Sequence, residues 1–122
     1  MTDRFKFRCW FEGRFIYKSL CDSNVYTEDN KCICLANILP DLPWEQCTGL
    51  KDKNGKLIYE GDIVEVGGRY AKGNYKIIFD ECDCEYDLKS GNGWFVYQLD
   101  SEIADNSEVI GNIHENKELL DD

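Results

Sequence analysis

The stretch Thr48-Gly49-Leu50-Lys51-Asp52-Lys53-Asn54-Gly55-Lys56-Leu57-Ile58-Tyr59-Glu60-Gly61-Asp62-Ile63-Val64-Glu65-Val66 decides the fold of this chain. Its Asn54-Gly55 pair stands between Leu50 and the apolar pair Leu57-Ile58. Asn-Gly readily takes the positive φ angles of a tight hairpin turn, so the segment reads as a β-hairpin. A second turn, Glu60-Gly61-Asp62, feeds the alternating strand pattern Ile63-Val64-Glu65-Val66. The stretch therefore divides the chain into two small β-modules, 1–47 and 48–122. The first is the candidate oligomerisation region, and the second is expected to be an SH3-like barrel.

Upstream, Phe5, Phe7 and Cys9 alternate with Lys6, Arg8 and Trp10. That period of two marks a strand with one buried and one wetter face over Phe5–Phe11. Glu12-Gly13 turns the chain, and Arg14–Lys18 returns as the second arm of a hairpin. Turn-forming clusters at Asp22-Ser23-Asn24 and Glu28-Asp29-Asn30 flank Val25-Tyr26-Thr27, and Cys32 to Leu35 is a further apolar run. Pro40 and Pro43 make 36–46 an irregular connection, because proline removes a backbone donor and fixes φ. Trp44 is expected to pack its ring back on the sheet.

Downstream, Gly67-Gly68 breaks the chain before strands at Tyr75–Phe79, Cys82–Leu88, Trp94–Leu99 and Val109–Ile113. With Ile63–Val66 these make five, and closing such a set into a barrel would remove exposed edges. The tail 115–122 reads as a last helical turn with Leu119 and Leu120 docked, or as a fraying end. The residues expected to hold the turns are Gly49, Asn54, Gly55, Gly61 and Asp62. Those expected in the cores are Phe5, Phe7, Tyr59, Ile63, Phe79, Trp94 and Ile110.

Composition agrees with a mainly β protein. Three Trp, seven Tyr and six Phe in 122 residues suit pleated surfaces better than helices. No apolar run reaches the roughly 20 residues needed to span a bilayer, and the opening Met-Thr-Asp-Arg-Phe-Lys-Phe-Arg lacks the apolar core of a signal peptide. The expectation is a cytoplasmic protein with no membrane partner, its seven cysteines kept as thiols. The formal net charge of −10 is uneven: residues 1–20 carry a balance of +3 and residues 100–122 a balance of −7. Phosphate contacts supply most non-specific nucleic-acid affinity, so a chain this acidic is not expected to bind nucleic acid directly. The edge made by Arg4, Lys6 and Arg8, interleaved with Phe7 and Trp10, is the exception.

Several residue groups invite a chemical reading. Cys32/Cys34 and Cys82/Cys84 are the zinc candidates, because residues two apart on a strand share a face and four thiolates suit tetrahedral zinc. Their spacing is not that of a turn-based zinc site, and the acids Glu81, Asp83 and Glu85 would crowd a thiolate cluster with like charge. Small buried strand residues are the favoured reading, with no metal and no cofactor. Asp80, Glu81, Asp83, Glu85 and Asp87 form the densest acidic patch, read by default as a solvated edge strand guarded against aggregation. They are also the candidate protein-interaction residues if the protein mimics nucleic acid toward a host protein. His114, the single histidine, sits in no catalytic motif and reads as a surface or capping residue. No catalytic residue is assigned, and the expectation is a protein that is not an enzyme.

The run Thr48–Lys56 with Ile58-Tyr59-Glu60-Gly61-Asp62-Ile63-Val64 resembles the signature of the YopX family of phage and prophage proteins. Phe5–Trp10 and Glu108–Leu120 resemble that family's beginning and end, so the likeness spans nearly the whole chain in order. Cys47 stands in place of an aromatic residue, His114 in place of Tyr and Lys117 in place of Pro. What the resemblance implies is a phage-encoded, all-β, oligomeric protein with no catalytic residues to carry over. Together with the residues it points to a self-associating interaction module with a host or phage protein as partner.

Overall fold

The computed structural model describes residues 6–19, 25–28, 32–33, 43–68, 70, 72–91 and 95–120. The chain is mainly β, with two antiparallel sheets, as expected. Phe5, Cys34 and Trp94 lie outside the described residues, as do Arg4 and most of the connection 36–46.

The first sheet starts with the hairpin β1 (Lys6–Phe11) and β2 (Arg14–Ser19), in register from Lys6↔Ser19 to Phe11↔Arg14. Short strands β3 (Val25–Thr27) and β4 (Cys32–Ile33) extend it on one side, and β5 (Glu45–Lys51) and β6 (Leu57–Tyr59) on the other. The order is β4-β3-β2-β1-β5-β6. Strand β5 begins at Glu45, so the irregular connection ends earlier than the prolines suggested.

The Asn54-Gly55 hairpin forms between β5 and β6, and its organiser is Asp52. This carboxylate is 5% exposed, and its Oδ1 accepts from the amides of Asn54 and Lys56 at 2.9 Å each. Its Oδ2 accepts from Val109 N at 2.9 Å, which ties the hairpin to the second sheet. The pairing slips between Cys47↔Tyr59 and Lys51↔Leu57, where Gly49 takes φ +83°. That conformation suits glycine and lets β5 carry its extra residues as a bulge.

The second sheet comprises β7 (Asp62–Val66), β8 (Gly73–Asp80), β9 (Glu85–Lys89), β10 (Phe95–Gln98) and β11 (Ser107–Asn112). Its order is β10-β9-β8-β7-β11. The end strands β10 and β11 are not joined to each other among the described residues. A five-residue helix, α1 (Ser101–Asp105), precedes β11 and was not expected from the sequence. Asp100 caps it by accepting from Ile103 N at 2.8 Å, and Ile103 and Ala104 are its buried face. A single turn between two strands is too short to show helical periodicity.

The core joins Ile58 of the first sheet to Val64, Val66, Tyr75, Ile77 and Leu88 of the second, with Leu99, Ile103 and Ala104 closing it. Tyr59 and Ile63 are buried as expected, Phe7 and Ile110 are half-buried, and Phe79 is 38% exposed instead of in the core. Phe79 lies near the end of β8, beyond the reach of the core. The tail forms a 3₁₀ turn at Lys117–Leu120 with Leu120 buried, and Asn74 Nδ2 donates to Leu119 O at 3.0 Å. Among the described residues no helix is long and apolar enough to cross a membrane.

Candidate functional site

Strand alternation places Lys6, Arg8 and Trp10 on one face of β1, opposite Cys9, which is fully buried with its partner Ile16. Arg8 is 5% exposed and sits where the two sheets meet. Its Nε lies 3.0 Å from Glu45 Oε1, and its Nη2 lies 2.7 Å from Asp62 Oδ1. The same Nη2 donates to Glu60 O at 3.3 Å. Aromatic rings flank the guanidinium, with centroids at 4.2 Å for Phe15 and 4.8 Å for Tyr59. Planar, permanently charged arginine can bridge two carboxylates and stack on rings at once, which lysine cannot.

The rest of the cluster is arranged around this side chain. Asp62 Oδ2 accepts from Tyr59 N at 2.8 Å across the Glu60-Gly61 turn. Burial pushes the Asp62 carboxyl above its ordinary value, and the Arg8 charge opposes that rise. Burial also raises Glu60, against the lowering effect of its hydrogen bond with the Gln46 backbone. Glu45 turns its second oxygen, Oε2, to His114 Nε2 at 3.0 Å. The imidazole stacks on Trp10, with centroids 5.6 Å apart and planes 3° apart, and meets Phe15 edge-on at 5.8 Å. Asn112 Oδ1 fixes the turn that presents His114 by accepting from the amides of His114 and Glu115 at 3.0 Å. Glu45, Arg8, Asp62 and His114 therefore form a continuous polar brace from β5 through β1 to β7 and the turn after β11. The carboxylate-held imidazole lines a cleft of about 520 Å³ with Trp44, Glu60 and Lys76.

Sequence alone flags Arg8, Asp62 and His114 one by one without joining them, and gives no sign of Glu45, which falls in the stretch read as an irregular connection. Asp62 reads locally as a turn residue, Arg8 as part of a basic edge and His114 as a lone surface group. Their separations, 37 residues for Arg8 to Glu45 and 69 for Glu45 to His114, leave no local spacing to detect. The one available signal was a basic residue alternating with large apolar ones on β1. Of the two bases of that edge among the described residues, Arg8 is buried and ion-paired, and Lys6 lines a surface cleft.

The other candidates disperse. Cys82 and Cys84 are exposed on the turn 81–84, where Cys84 takes φ +52°. They are not small buried strand residues, because Asp80 Oδ1 accepts from Cys82 N at 2.9 Å and bends the chain, delaying β9 until Glu85. Cys32 belongs to β4 of the other sheet, and no group of three or more metal-ligating side chains is assembled among the described residues. The acidic residues do not form a solvated edge, since β9 lies between β8 and β10. Glu81 and Asp83 are exposed, whereas Asp87 is 2% exposed and its Oδ1 has no hydrogen-bond partner among the described residues. Glu85 is pushed up to about 7, first by its hydrogen bond to Asp87, then by desolvation and by the charges of Asp87, Asp83 and Asp80.

No curated protein matches the chain. A family model described as YopX protein matches residues 6–121, a span that takes in the Asp52 hairpin, the Arg8 brace and the buried tail. The chain belongs to the YopX family.

Proposed function

We propose that the protein is a non-enzymatic interaction module that self-associates, acting as a phage-encoded accessory protein in the bacterial cytoplasm. The observation that supports this reading is the tip of the β8–β9 hairpin. Phe79 is 38% exposed there and packs edge-on against Tyr86 at 5.1 Å, rimmed by the exposed Glu81 and Asp83. An aromatic centre with a charged rim is the usual make-up of a protein contact. Three buried charged groups, Arg8, Asp52 and Asp62, are engaged in internal bonds that brace the fold.

Sedimentation equilibrium over a range of concentrations tests the reading. A mass that rises with concentration for the wild type, and stays monomeric for Phe79→Ser of unchanged circular dichroism, supports it. A wild type that is monomeric throughout overturns self-association. A second reading, mimicry of nucleic acid toward a basic host protein, rests on the exposed pair Glu81 and Asp83 on a turn held by Asp80. It requires that Glu81→Gln with Asp83→Asn abolish capture of a DNA-binding protein from the host, and unchanged capture rejects it.

A further inference from the structure

Two cavities of about 510 and 480 Å³ adjoin on the first sheet, sharing Lys6, Tyr17, Glu28, Lys56 and Tyr59 in their linings. Either volume lies within the range of small-molecule sites. The walls are aromatic: Tyr26 pairs with Tyr17 across β2 and β3, and Tyr17 meets Tyr59 edge-on at 6.1 Å. The local charge runs against that of the whole chain. Lys6, Lys18, Lys51 and Lys56 line the two cavities against the carboxylates Glu28 and Glu115, while Arg8 and Asp62 at the floor neutralise each other. Burial, then the charge of Glu28, pushes the Tyr17 phenol up to about 12, and burial raises Tyr59 as well. Both phenols therefore keep their protons at neutral pH and can donate to an anion.

We propose that this groove binds a small phosphorylated ligand bearing a flat ring, of the nucleotide class, with the ring among Tyr17, Tyr26 and Tyr59 and the phosphate between Lys6 and Lys56. Two arguments favour a single nucleotide over a nucleic-acid strand. The groove gathers four lysines at one place, whereas the other exposed bases, such as Arg14, Lys53 and Lys72, lie outside it, and a net charge of −10 repels a long polyanion while leaving a short anion free to enter. Ring stacking on tyrosine and charge-assisted bonds from lysine are both sequence-tolerant sources of affinity.

Isothermal titration of the full chain with a panel of ribonucleoside monophosphates tests the proposal, beside the free nucleosides, inorganic phosphate and a short single-stranded oligonucleotide. The expected result is saturable binding of at least one monophosphate, tighter than its nucleoside or phosphate alone. Lys56→Glu and Tyr26→Ala should each weaken it about tenfold, and Glu28→Gln should tighten it several-fold. Lys56 is exposed and Tyr26 half-buried on a short strand, so circular dichroism and melting of each variant should match the wild type, and amide shifts at 26 and 56 give a second readout. Absence of binding to any monophosphate overturns the proposal, as does binding that neither variant alters. Tighter binding of the oligonucleotide than of every monophosphate also overturns it.

Discussion

Arg8 Nη2 lies 2.7 Å from Asp62 Oδ1, a buried ion pair that joins the first strand of one sheet to the first strand of the other. Asp62 is 1% exposed, so neither charge finds compensation in water if the other is lost. Arg8→Met should therefore lower unfolding stability by about 3–5 kcal/mol. Arg8→Lys should recover less than half of that, since one ammonium cannot reach Glu45 and Asp62 while stacking between Phe15 and Tyr59. Urea midpoints at neutral pH measure both, and a Lys variant as stable as the wild type would show that charge alone matters.

Asp52 holds three backbone amides, two in its own turn and one on β11. Asp52→Ala leaves them without that acceptor and is expected to cost about 2–4 kcal/mol, given charge-assisted bonds of about 1.5–3 kcal/mol less what water recovers. Hydrogen exchange should report it locally, with the Val109 amide gaining the most. An unchanged Val109 rate would place the hairpin's hold on β11 elsewhere.

Gly61 has φ +88°, and a β-carbon there would press into the Glu45 carboxylate. Gly61→Ala thus meets two penalties, left-handed backbone of about 1–2 kcal/mol and displacement of Glu45 from Arg8. In a Glu45→Ala background the second vanishes, so a double-mutant cycle should show the two changes costing less together than their sum. Strict additivity would argue that Glu45 moves aside freely.

Glu85 supplies a pH dependence whose sign is fixed. Its carboxyl is raised from 4.5 to about 7, foremost through the hydrogen bond with Asp87. A folded value above the unfolded one gives stability that is fully present below about 4.5 and lost as pH rises through about 7. Relative to Glu85→Gln, which cannot titrate, the wild type should therefore lose melting temperature across that interval and run parallel above it. Equal slopes for the two proteins would remove Glu85 as the titrating group.

Strand periodicity and turn chemistry are local properties, and the sequence by itself determined what depends on them: the β1–β2 and β5–β6 hairpins, the entry to β7 at Gly61-Asp62 and the all-β class. Each follows from residues within a few positions of one another, because a turn's φ angles and a strand's alternation are set by neighbours along the chain. Tertiary structure decided the rest. Whether Arg8 served as a solvated edge charge or a buried brace turned on Glu45, Asp62 and His114, which meet only when two sheets pack. The fate of Phe79 turned on where the core ended and that of Leu120 on Asn74 and Gly91, whereas the turn that exposes Cys82 and Cys84 is local, held by Asp80 two and three residues before the amides it accepts from. Side-chain character is carried by the residue itself, whereas desolvation and pairing depend on groups brought from far along the chain.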